Sequence, residues 1–547
     1  MPLGCHATTI WTMRRPAADS RCIRSSSELR PGFARRTFLA GIGALPVTAA
    51  LWPPSAAAEF LALGKPSSFS FDWLRHRAKS LAARPYAPPS IRFTDELERI
   101  DYDAYQQIRF RSDHALWAKD GGPYPIEFFH LGRFFKAPVR LHVCERGEAR
   151  EILYSPGMFS FGTARFAANL PADLGFAGFR VMDDGGKPDW LAFLGAAYFR
   201  SSGELNQYGL STRGVAIDPG MPTPEEFPRF TDFWFEPSAN DAKAIVIYAL
   251  MDGPSIAGAY RLECTKSVGT VIDVDAALYP RADIKRMGVA PLTSMFWFDE
   301  ANRRQARDWR PEIHDSDGLA IWTGTGERIW RPLNNPPQVQ VSAFADGSPK
   351  GFGLLQRDRS FDNYQDDGVF YDRRPSVWVE PTGDWGDGAV QLMEIPTDDE
   401  IHDNIVAYWV PKAPVTAGSE WPFKYRLHWL ADEPYPGDLA RVVATRLGRG
   451  GIPGQPRPKD KNKIVIDFAG GPLEDLKQDD PVKLIVGAAR GKIDNDYSLQ
   501  VVGTKHWRGF FDIAMDGREP VDIRAFLRLG GKALTETWLY QYIPFEW

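Results

Sequence analysis

The sequence predicts a mainly β protein with one large two-sheet sandwich followed by a smaller β domain. Short runs of alternating apolar and polar residues, divided by Gly, Pro or Asp, begin near Phe128 and continue almost to the C-terminus. These runs are too many for a small sandwich. No regular strand–helix alternation appears, which argues against a parallel doubly wound sheet. The length of 547 residues leaves room for more than one domain.

The N-terminus has the features of an export signal. A twin-arginine pattern, RRTFL, occupies residues 35–39 and is followed by a weakly apolar run over 40–52. Small residues at 56–58 form an A-x-A cleavage site, so residues 1–58 are expected to be removed and the mature protein to reside in the periplasm. The apolar run is too short to span a bilayer. Whether translation starts at Met13 rather than at the first residue stays open.

Two helices are predicted before the strands. Apolar residues recur at helical spacing over residues 67–85, with basic residues on the other face. A second helix is predicted over 94–109, opened by Thr94 and Asp95 as its cap. We expect both helices to pack on the outside or the edge of a sheet.

The large sandwich domain is predicted over residues 59–432, and an immunoglobulin-like domain over 439–547. A linker composition rich in Pro, Gly and Asp separates them at 431–438. The second assignment rests on size and strand spacing, since no Cys…Trp…Cys signature is present. The strand-like runs of the first domain include 128–130, 139–143, 149–154, 176–181, 190–200, 214–218, 230–236, 244–251, 258–265 and 269–279. Those of the second are 439–447, 463–468, 482–486, 498–502, 506–515, 521–529 and 536–542.

Composition excludes several function classes. The net charge of -5 is not that of a nucleic-acid binder, which normally has a basic face. No phosphate-binding loop, zinc-protease motif or paired C-x-x-C occurs, so neither a cofactor nor a metal is expected. The two cysteines beyond the signal, Cys144 and Cys264, lie in strand-like runs. Buried thiols are favoured there, although one disulfide stays open.

Residues 313–403 carry the chemistry that the rest of the chain lacks. Carboxylates stand at both ends of this stretch, and aromatic and arginine side chains lie between them. Carboxylates can transfer protons at a glycosidic bond, and flat rings can cover the apolar faces of sugars. His314 and His402 adjoin two of the acids, but neighbours on a strand point to opposite faces, which disfavours a shared metal site. Composition alone does not rank the acids.

The chain resembles the periplasmic glucan biosynthesis proteins of the OpgG/OpgD (MdoG/MdoD) family, and its D branch most closely. The similarity runs from about Phe69 to the C-terminus, and the twin-arginine signal also resembles the D branch. The strings that carry it are LGFAGFR at 174–180, FLGAAYFR at 193–200, QYGLS at 207–211, IHDSD at 313–317, WRPLNNP at 330–336, GFGLLQ at 351–356, DNI at 403–405 and ETWLYQY at 536–542.

The resemblance implies a fold, a substrate and an activity. It implies a galactose-mutarotase-like β-sandwich joined to an immunoglobulin-like domain, and a role in making or trimming osmoregulated periplasmic glucans with a β-1,2-linked backbone. Members of the D branch are similar to inverting endo-β-1,2-glucanases. The family's general acid falls on Asp403 and its general base, acting through waters, on Asp315. Tyr371 and Glu400 fall on supporting positions.

Physical chemistry adds expectations about these residues. An acid near neutral pH needs a raised pKa, which burial or the nearby Glu400 could give Asp403. The base, Asp315, must stay ionised, so a wet or hydrogen-bonded setting is expected for it. We also expect four further side chains to hold glucose units: Trp330, Arg331, Arg374 and Trp378.

Two alternatives stay open at this point. A non-catalytic glucan-binding protein that receives glucan from the inner-membrane synthase would use the same aromatic cleft. A transglycosylase would use the same acids but pass the glycosyl unit to a sugar hydroxyl. Glucan length preference and oligomeric state also stay open, a homodimer among the options.

Overall fold

The computed structural model describes residues 61–119, 121–183, 186, 188–515 and 517–545. In this part of the chain the protein is mainly β, as the sequence predicts. The predicted export signal lies outside the described residues. No helix of the described part is long and apolar enough to span a membrane.

The strands are labelled in chain order. They are β1 Ser67–Ser68, β2 Arg109–Phe110, β3 Ile126–His130, β4 Arg140–Glu145, β5 Glu148–Glu151, β6 Phe159–Ser160, β7 Phe176–Met182, β8 Asp189–Leu194, β9 Tyr198–Ser201, β10 Ser211–Arg213, β11 Val215–Ile217, β12 Arg229–Pro237, β13 Ala244–Asp252, β14 Ile256–Lys266, β15 Thr270–Pro280, β16 Met287–Ser294 and β17 Phe296–Phe298. They continue with β18 Ile313–His314, β19 Gly318–Trp322, β20 Arg328–Pro332, β21 Gln340–Gly347, β22 Gly351–Leu355, β23 Ser376–Pro381, β24 Asp387–Glu394, β25 Ile405–Pro411, β26 Trp421–Leu430, β27 Arg441–Arg449, β28 Lys461–Ala469, β29 Lys483–Ala488, β30 Lys492–Gln500, β31 Trp507–Ala514, β32 Val521–Leu529, β33 Lys532–Ala533 and β34 Thr537–Tyr542.

Two large sheets form the body of the molecule. The larger has the order β1-β5-β4-β12-β13-β14-β15-β26-β23-β22-β19-β20-β34-β32-β29, with β33 beside β32. The second has the order β21-β24-β25-β16-β10-β9-β8-β7-β3, with β11 beside β16. Pairing in the described part is antiparallel, except for β12 with β4 and β20 with β34.

Aromatic side chains from both sheets fill the core between them. Phe179 of β7 meets Phe233 of β12 edge to face, with ring centroids 5.0 Å apart. Phe199 of β9 contacts Trp429 of β26 across the core in a tilted arrangement, with ring centroids 6.2 Å apart. Such contacts between inner faces are the packing expected of a sandwich. Many of the aromatics in this sequence are therefore core residues rather than ligand contacts.

The predicted helices are shorter than their apolar patterns. Helix α1 spans Phe71–Ala82, and Ser70 caps it by accepting a hydrogen bond from the backbone of Trp73. The second prediction is wrong in extent, because two helices occupy that region, α2 Thr94–Glu98 and α3 Tyr102–Gln107. Asp101 separates them, since its side chain caps α3. A fourth helix, α4, spans Phe361–Tyr364. Short 3-10 helices lie at Ser112–His114, Pro156–Met158, Arg165–Asn169, Arg303–Gln305, Tyr371–Arg373 and Gly471–Asp475.

One predicted strand is in fact a hairpin. The run 190–200 divides into β8 and β9, because Gly195 and Ala196 both adopt positive φ and turn the chain. Apolar residues continue through the turn without a break, so the sequence pattern alone did not reveal the hairpin.

The C-terminal strands lie partly in a sheet of their own. Strands β27, β28, β31 and β30 form a separate four-stranded sheet. Strands β34, β32 and β29 instead extend the larger sheet, because Trp538 of β34 pairs with Trp330 of β20. The core under these strands includes residues of the larger sheet as well. The predicted division near residues 432–439 therefore crosses a continuous sheet.

Cys144 and Cys264 are both buried free thiols, as favoured from the sequence. They belong to different apolar clusters, so they do not face each other.

Candidate functional site

The two predicted acids each adjoin a residue that is bonded to the backbone of Phe296. Phe296 of β17 pairs with His314 of β18, and Asp315 follows His314 directly. The side-chain amide of Asn404 brackets the same Phe296, since its Oδ1 accepts from the Phe296 N–H at 2.8 Å and its Nδ2 donates to the Phe296 carbonyl at 2.9 Å. Asp403 directly precedes Asn404. Each acid is thus one residue away from a partner of Phe296, although they lie far apart in sequence.

Asp315 is buried, which contradicts the expectation of a wet setting. Its backbone N–H donates to the carbonyl of Met295 at 2.8 Å, and its Oδ1 lies 3.3 Å from Nε of Arg374. Burial raises the pKa of Asp315, while the positive charges of Arg374, His314 and Arg200 oppose that rise. The carboxylate of Asp315 is therefore shielded from solvent and surrounded by positively charged side chains.

Arg200 links the two acids electrostatically. This buried residue of β9 is attracted to the negative charge of Asp403, and its own charge lowers the pKa of Asp315. Burial is the largest influence on Arg200 and lowers its pKa to about 10. Its guanidinium lies 4.9 Å from the ring centroid of Tyr208, and the Tyr208 carbonyl accepts a hydrogen bond from Arg374. The positive charges of Arg200 and Arg374 thus both act on Asp315, and that of Arg200 also acts on Asp403.

Asp403 is half-buried, and so more open to a ligand than Asp315. It lies in the turn between β24 and β25, four residues beyond Asp399 and two residues before β25 begins. Asp315 is therefore the more buried of the two acids.

Glu400 accepts hydrogen bonds from both Tyr371 and Arg310. Tyr371 Oη donates a hydrogen bond to Glu400, and Arg310 Nη1 lies 2.8 Å from the same carboxylate oxygen. Arg310 also pairs with Asp366 at 2.7 Å. We call this group of four side chains, Arg310, Asp366, Tyr371 and Glu400, the arginine knot. It joins three loops of the site, and the negative charge of Glu400 helps to raise the pKa of Asp315.

Gln356 joins the Asp315 strand to the loop that carries Tyr371. Its Oε1 contacts His314 Nδ1 at 3.0 Å, and its Nε2 lies 3.0 Å from the His314 carbonyl. The same Nε2 lies 3.0 Å from Tyr364 Oη and 3.1 Å from the Tyr371 carbonyl. Because Gln356 is fully buried, these bonds have no water to replace them.

A buried charged cluster lies on the other side of His314. Its Nε2 approaches Glu312 at 3.3 Å and its Nδ1 approaches Asp317 at 3.5 Å. Burial would lower the pKa of His314, but these acids together raise it to about 10, so the imidazole is protonated at neutral pH. Burial and Glu312 raise the pKa of Asp299 to about 7. Within the described residues no group of His, Cys, Asp and Glu side chains is arranged to hold a metal ion.

Three of the residues predicted to hold glucose lie elsewhere. Trp330 and Trp378 are buried in the core shared with the C-terminal strands, and Arg357 covers the Trp330 ring at 3.7 Å. Arg331 is buried in an ion pair with Glu394 at 3.0 Å. Arg374, by contrast, lies against Asp315. Only Arg374 of the four is therefore brought together with the acids.

Several residues of the site were not predicted from the sequence. Arg200, Tyr208 and Gln356 all fall in strings that carry the family resemblance, so the resemblance held a signal for them. Arg310 falls outside those strings. Asp366 reads as a turn residue, and it does accept the Gly368 and Val369 N–H groups, but its other oxygen binds Arg310.

Comparison with known proteins places these residues in a family context. Residues 69–542 match the family model described as "Periplasmic glucan biosynthesis protein, MdoG". The chain is 54% identical over 527 residues to glucans biosynthesis protein D 2 of Ralstonia nicotianae, covering 94% of this chain and 98% of the relative. It is 48% identical over 524 residues to glucans biosynthesis protein D of Stenotrophomonas maltophilia, with the same coverage of each chain. The corresponding protein of Xanthomonas campestris pv. campestris is 48% identical over 512 residues, covering 92% of this chain and 95% of the relative.

Proposed function

The chain belongs to the family of periplasmic glucan biosynthesis proteins, and we propose that it is a periplasmic inverting endo-β-1,2-glucanase. The proposed substrate is the β-1,2-linked backbone of osmoregulated periplasmic glucans. Asp403 is the proposed general acid and Asp315 the proposed general base. Tyr371, Glu400 and Arg374 are proposed to orient these acids and the glucan.

The observation that supports this proposal best is that His314 and Asn404 both bond to the backbone of Phe296. Asp315 and Asp403 lie 88 positions apart in the sequence. Each is adjacent to a residue, His314 or Asn404, that is bonded to the backbone of Phe296. An inverting hydrolase needs two carboxylates across the scissile bond, with room for a water between them. Two buried arginines also connect these acids, since Arg374 pairs with Asp315 at 3.3 Å and Arg200 interacts electrostatically with both Asp315 and Asp403.

The different exposure of the acids matches the proposed roles. The half-buried Asp403 can reach a glycosidic oxygen in the cleft. The buried Asp315 lies deeper, so it would accept the proton of the attacking water through intervening waters. Arg374 and Arg200 favour its ionised form against the effect of burial. After one turnover Asp403 has lost its proton and Asp315 has gained one, and exchange with solvent restores both.

The arginine knot would fix the geometry of the cleft. Arg310 holds the carboxylates of Asp366 and Glu400 in place at 2.7 and 2.8 Å. Tyr371 Oη is held by Glu400, and its ring lies 5.0 Å from the Arg374 guanidinium. The knot therefore connects the loop of the acid to the arginine that pairs with the base.

The test is cleavage of purified linear β-1,2-glucan by the wild-type protein and by Asp403→Asn and Asp315→Asn. We expect shorter products from the wild type, whose fresh anomeric centre has the α configuration by NMR. Each variant should lose activity by ~10²–10⁴-fold, the usual contribution of one general acid or base. Asp398→Asn, an exposed acid of the same turn, is the matched control and should retain activity. Full turnover by Asp403→Asn, with an unchanged melting temperature, would refute the acid assignment.

A non-catalytic role is the second candidate, favoured by one observation. The relatives are named for glucan biosynthesis, and their names state no hydrolysis. In that case the protein would bind glucan from an inner-membrane synthase without cutting it. Binding of β-1,2-glucan with no shorter product after prolonged incubation would support this role. Products that are longer or cyclic would instead indicate transglycosylation by the same acids.

A further inference from the structure

Trp309 is the most exposed tryptophan that the structure describes. Its side chain is 73% exposed, whereas the next, Trp73, is 42% exposed and packs against Phe69 and Trp234. Most other tryptophans of the described part are buried in the two cores. Single exposed apolar side chains are normal on protein surfaces, so exposure alone does not mark a ligand site, and the setting of this indole is decisive.

The segment around Trp309 is held rigidly. The carboxylate of Asp308 accepts hydrogen bonds from the backbone N–H of Arg310 at 3.0 Å, from its Nε at 2.8 Å and from its Nη2 at 3.2 Å. Arg310 is fixed in turn by Asp366 and Glu400. Trp309 therefore stands at the tip of a braced turn, and its backbone would lose little further entropy when a ligand binds.

Trp309 also adjoins the arginine knot, because it directly precedes Arg310. Adjacent Cα atoms are ~3.8 Å apart, and an extended arginine adds ~7 Å, so the backbone of Trp309 lies within about 14 Å of the Glu400 carboxylate. The other two main loops of the arginine knot carry apolar neighbours too. Ile401 follows Glu400 and is 41% exposed, and the partly exposed Phe370 precedes Tyr371. Trp309, Phe370 and Ile401 are thus each adjacent in sequence to a residue of the arginine knot.

We propose that Trp309 is a sugar-stacking platform that holds one glucosyl unit of a β-1,2-glucan beside the acid pair. The flat indole would cover the C–H face of a pyranose, while the hydroxyls at the ring edge stay in water. This inference rests on the proposed function for the identity of the glucan, but it requires binding only and not cleavage. It predicts that affinity depends on Trp309 and that the chemical step does not.

The test is a calorimetric titration of linear β-1,2-glucan into Asp403→Asn protein, with and without Trp309→Ala. We expect Trp309→Ala to weaken binding at least ~10-fold, because the glucosyl unit loses the flat apolar ring against which it packs. Trp309→Phe should recover part of the affinity, because it keeps a flat apolar ring. Trp73→Ala, which removes an exposed indole on α1, is the matched control and should bind like its parent.

Unchanged glucan affinity in Trp309→Ala would overturn the proposal, as would failure of the parent protein to bind glucan. Weaker self-association of Trp309→Ala with unchanged glucan affinity would also overturn it, and would assign the indole to a protein contact. If the wild type binds glucan through Trp309 but never cleaves it, the glucanase proposal fails while this one stands. The two failures are therefore distinguishable.

Discussion

Nε of Arg374 lies 3.3 Å from Oδ1 of Asp315, and both side chains are at least nine-tenths buried. The contact joins opposite charges without hydrogen-bond geometry at either atom. An ion pair of this kind stabilises the carboxylate by charge and leaves its lone pairs to accept a proton. That combination suits a base that must be ionised in a dry place and must still receive a proton during the reaction.

The first prediction concerns the pH dependence of the base. Arg374 lowers the pKa of Asp315, so Arg374→Gln should let that pKa rise further. Since the base acts only when deprotonated, its activity is lost as pH falls through this pKa. The acidic limb of kcat/KM should therefore move to higher pH in Arg374→Gln, while Arg374→Lys, which keeps the charge, should shift less. An unshifted acidic limb in Arg374→Gln would show that Asp315 does not set it.

The second prediction concerns Gln356. Gln356→Leu removes four polar contacts that join His314 to the loop of Tyr371. We expect kcat to fall ~10–100-fold, since small misplacement of catalytic groups costs about this much. The loss should appear well below the melting temperature and with little change in KM. A variant that is less stable but fully active would show that Gln356 supports the fold and not the site.

The third prediction separates a structural arginine from a binding one. Arg331 and Glu394 form a buried ion pair, so Arg331→Met should lower stability by about 3–5 kcal/mol by leaving Glu394 unpaired. Burial already raises the pKa of Glu394, and Arg331 opposes that rise. The double variant Arg331→Met/Glu394→Leu should recover most of the loss in denaturant unfolding. Glucan affinity of the double variant should equal that of the wild type, and a large loss would restore Arg331 as a sugar contact.

The fourth prediction concerns Asp299. Burial raises its pKa from an ordinary 3.8 to about 7, so the folded state holds a proton that the unfolded state releases. Its contribution to stability is present below pH ~4 and is lost as pH rises towards ~7. Asp299→Asn keeps an acceptor for the Ala301 and Asn302 N–H groups but removes this titration.

The measurement for Asp299→Asn is the difference in melting temperature between the variant and the wild type. This difference should increase in favour of the variant between pH 4 and pH 7.5. The corresponding change in the free energy of unfolding should be on the order of a few kcal/mol, because one pKa unit corresponds to ~1.4 kcal/mol. A difference that is constant with pH would mean that Asp299 does not titrate in this range.

Much of the fold follows from the local sequence pattern. Alternation of apolar and polar residues predicted strands such as β14 and β15 within one or two residues, because a half-buried strand must present one face to the core. The same pattern missed the hairpin at Gly195 and the break at Asp101. Each of these depends on one turn or cap residue, and such signals are weaker than an apolar period.

The sequence by itself determined the β class, the strand positions, the buried thiols and, through family resemblance, which acids to compare. Only the tertiary structure decided what surrounds those acids. Arg200 acts on both acids from a distant segment, and Arg310 and Gln356 bond to their neighbours Glu400 and His314. Burial by the fold makes Asp315 the drier acid. It also placed Trp330 and Trp378 in a core. The physical reason is that periodicity specifies which face a side chain occupies, whereas partners and desolvation depend on how sheets and loops pack together.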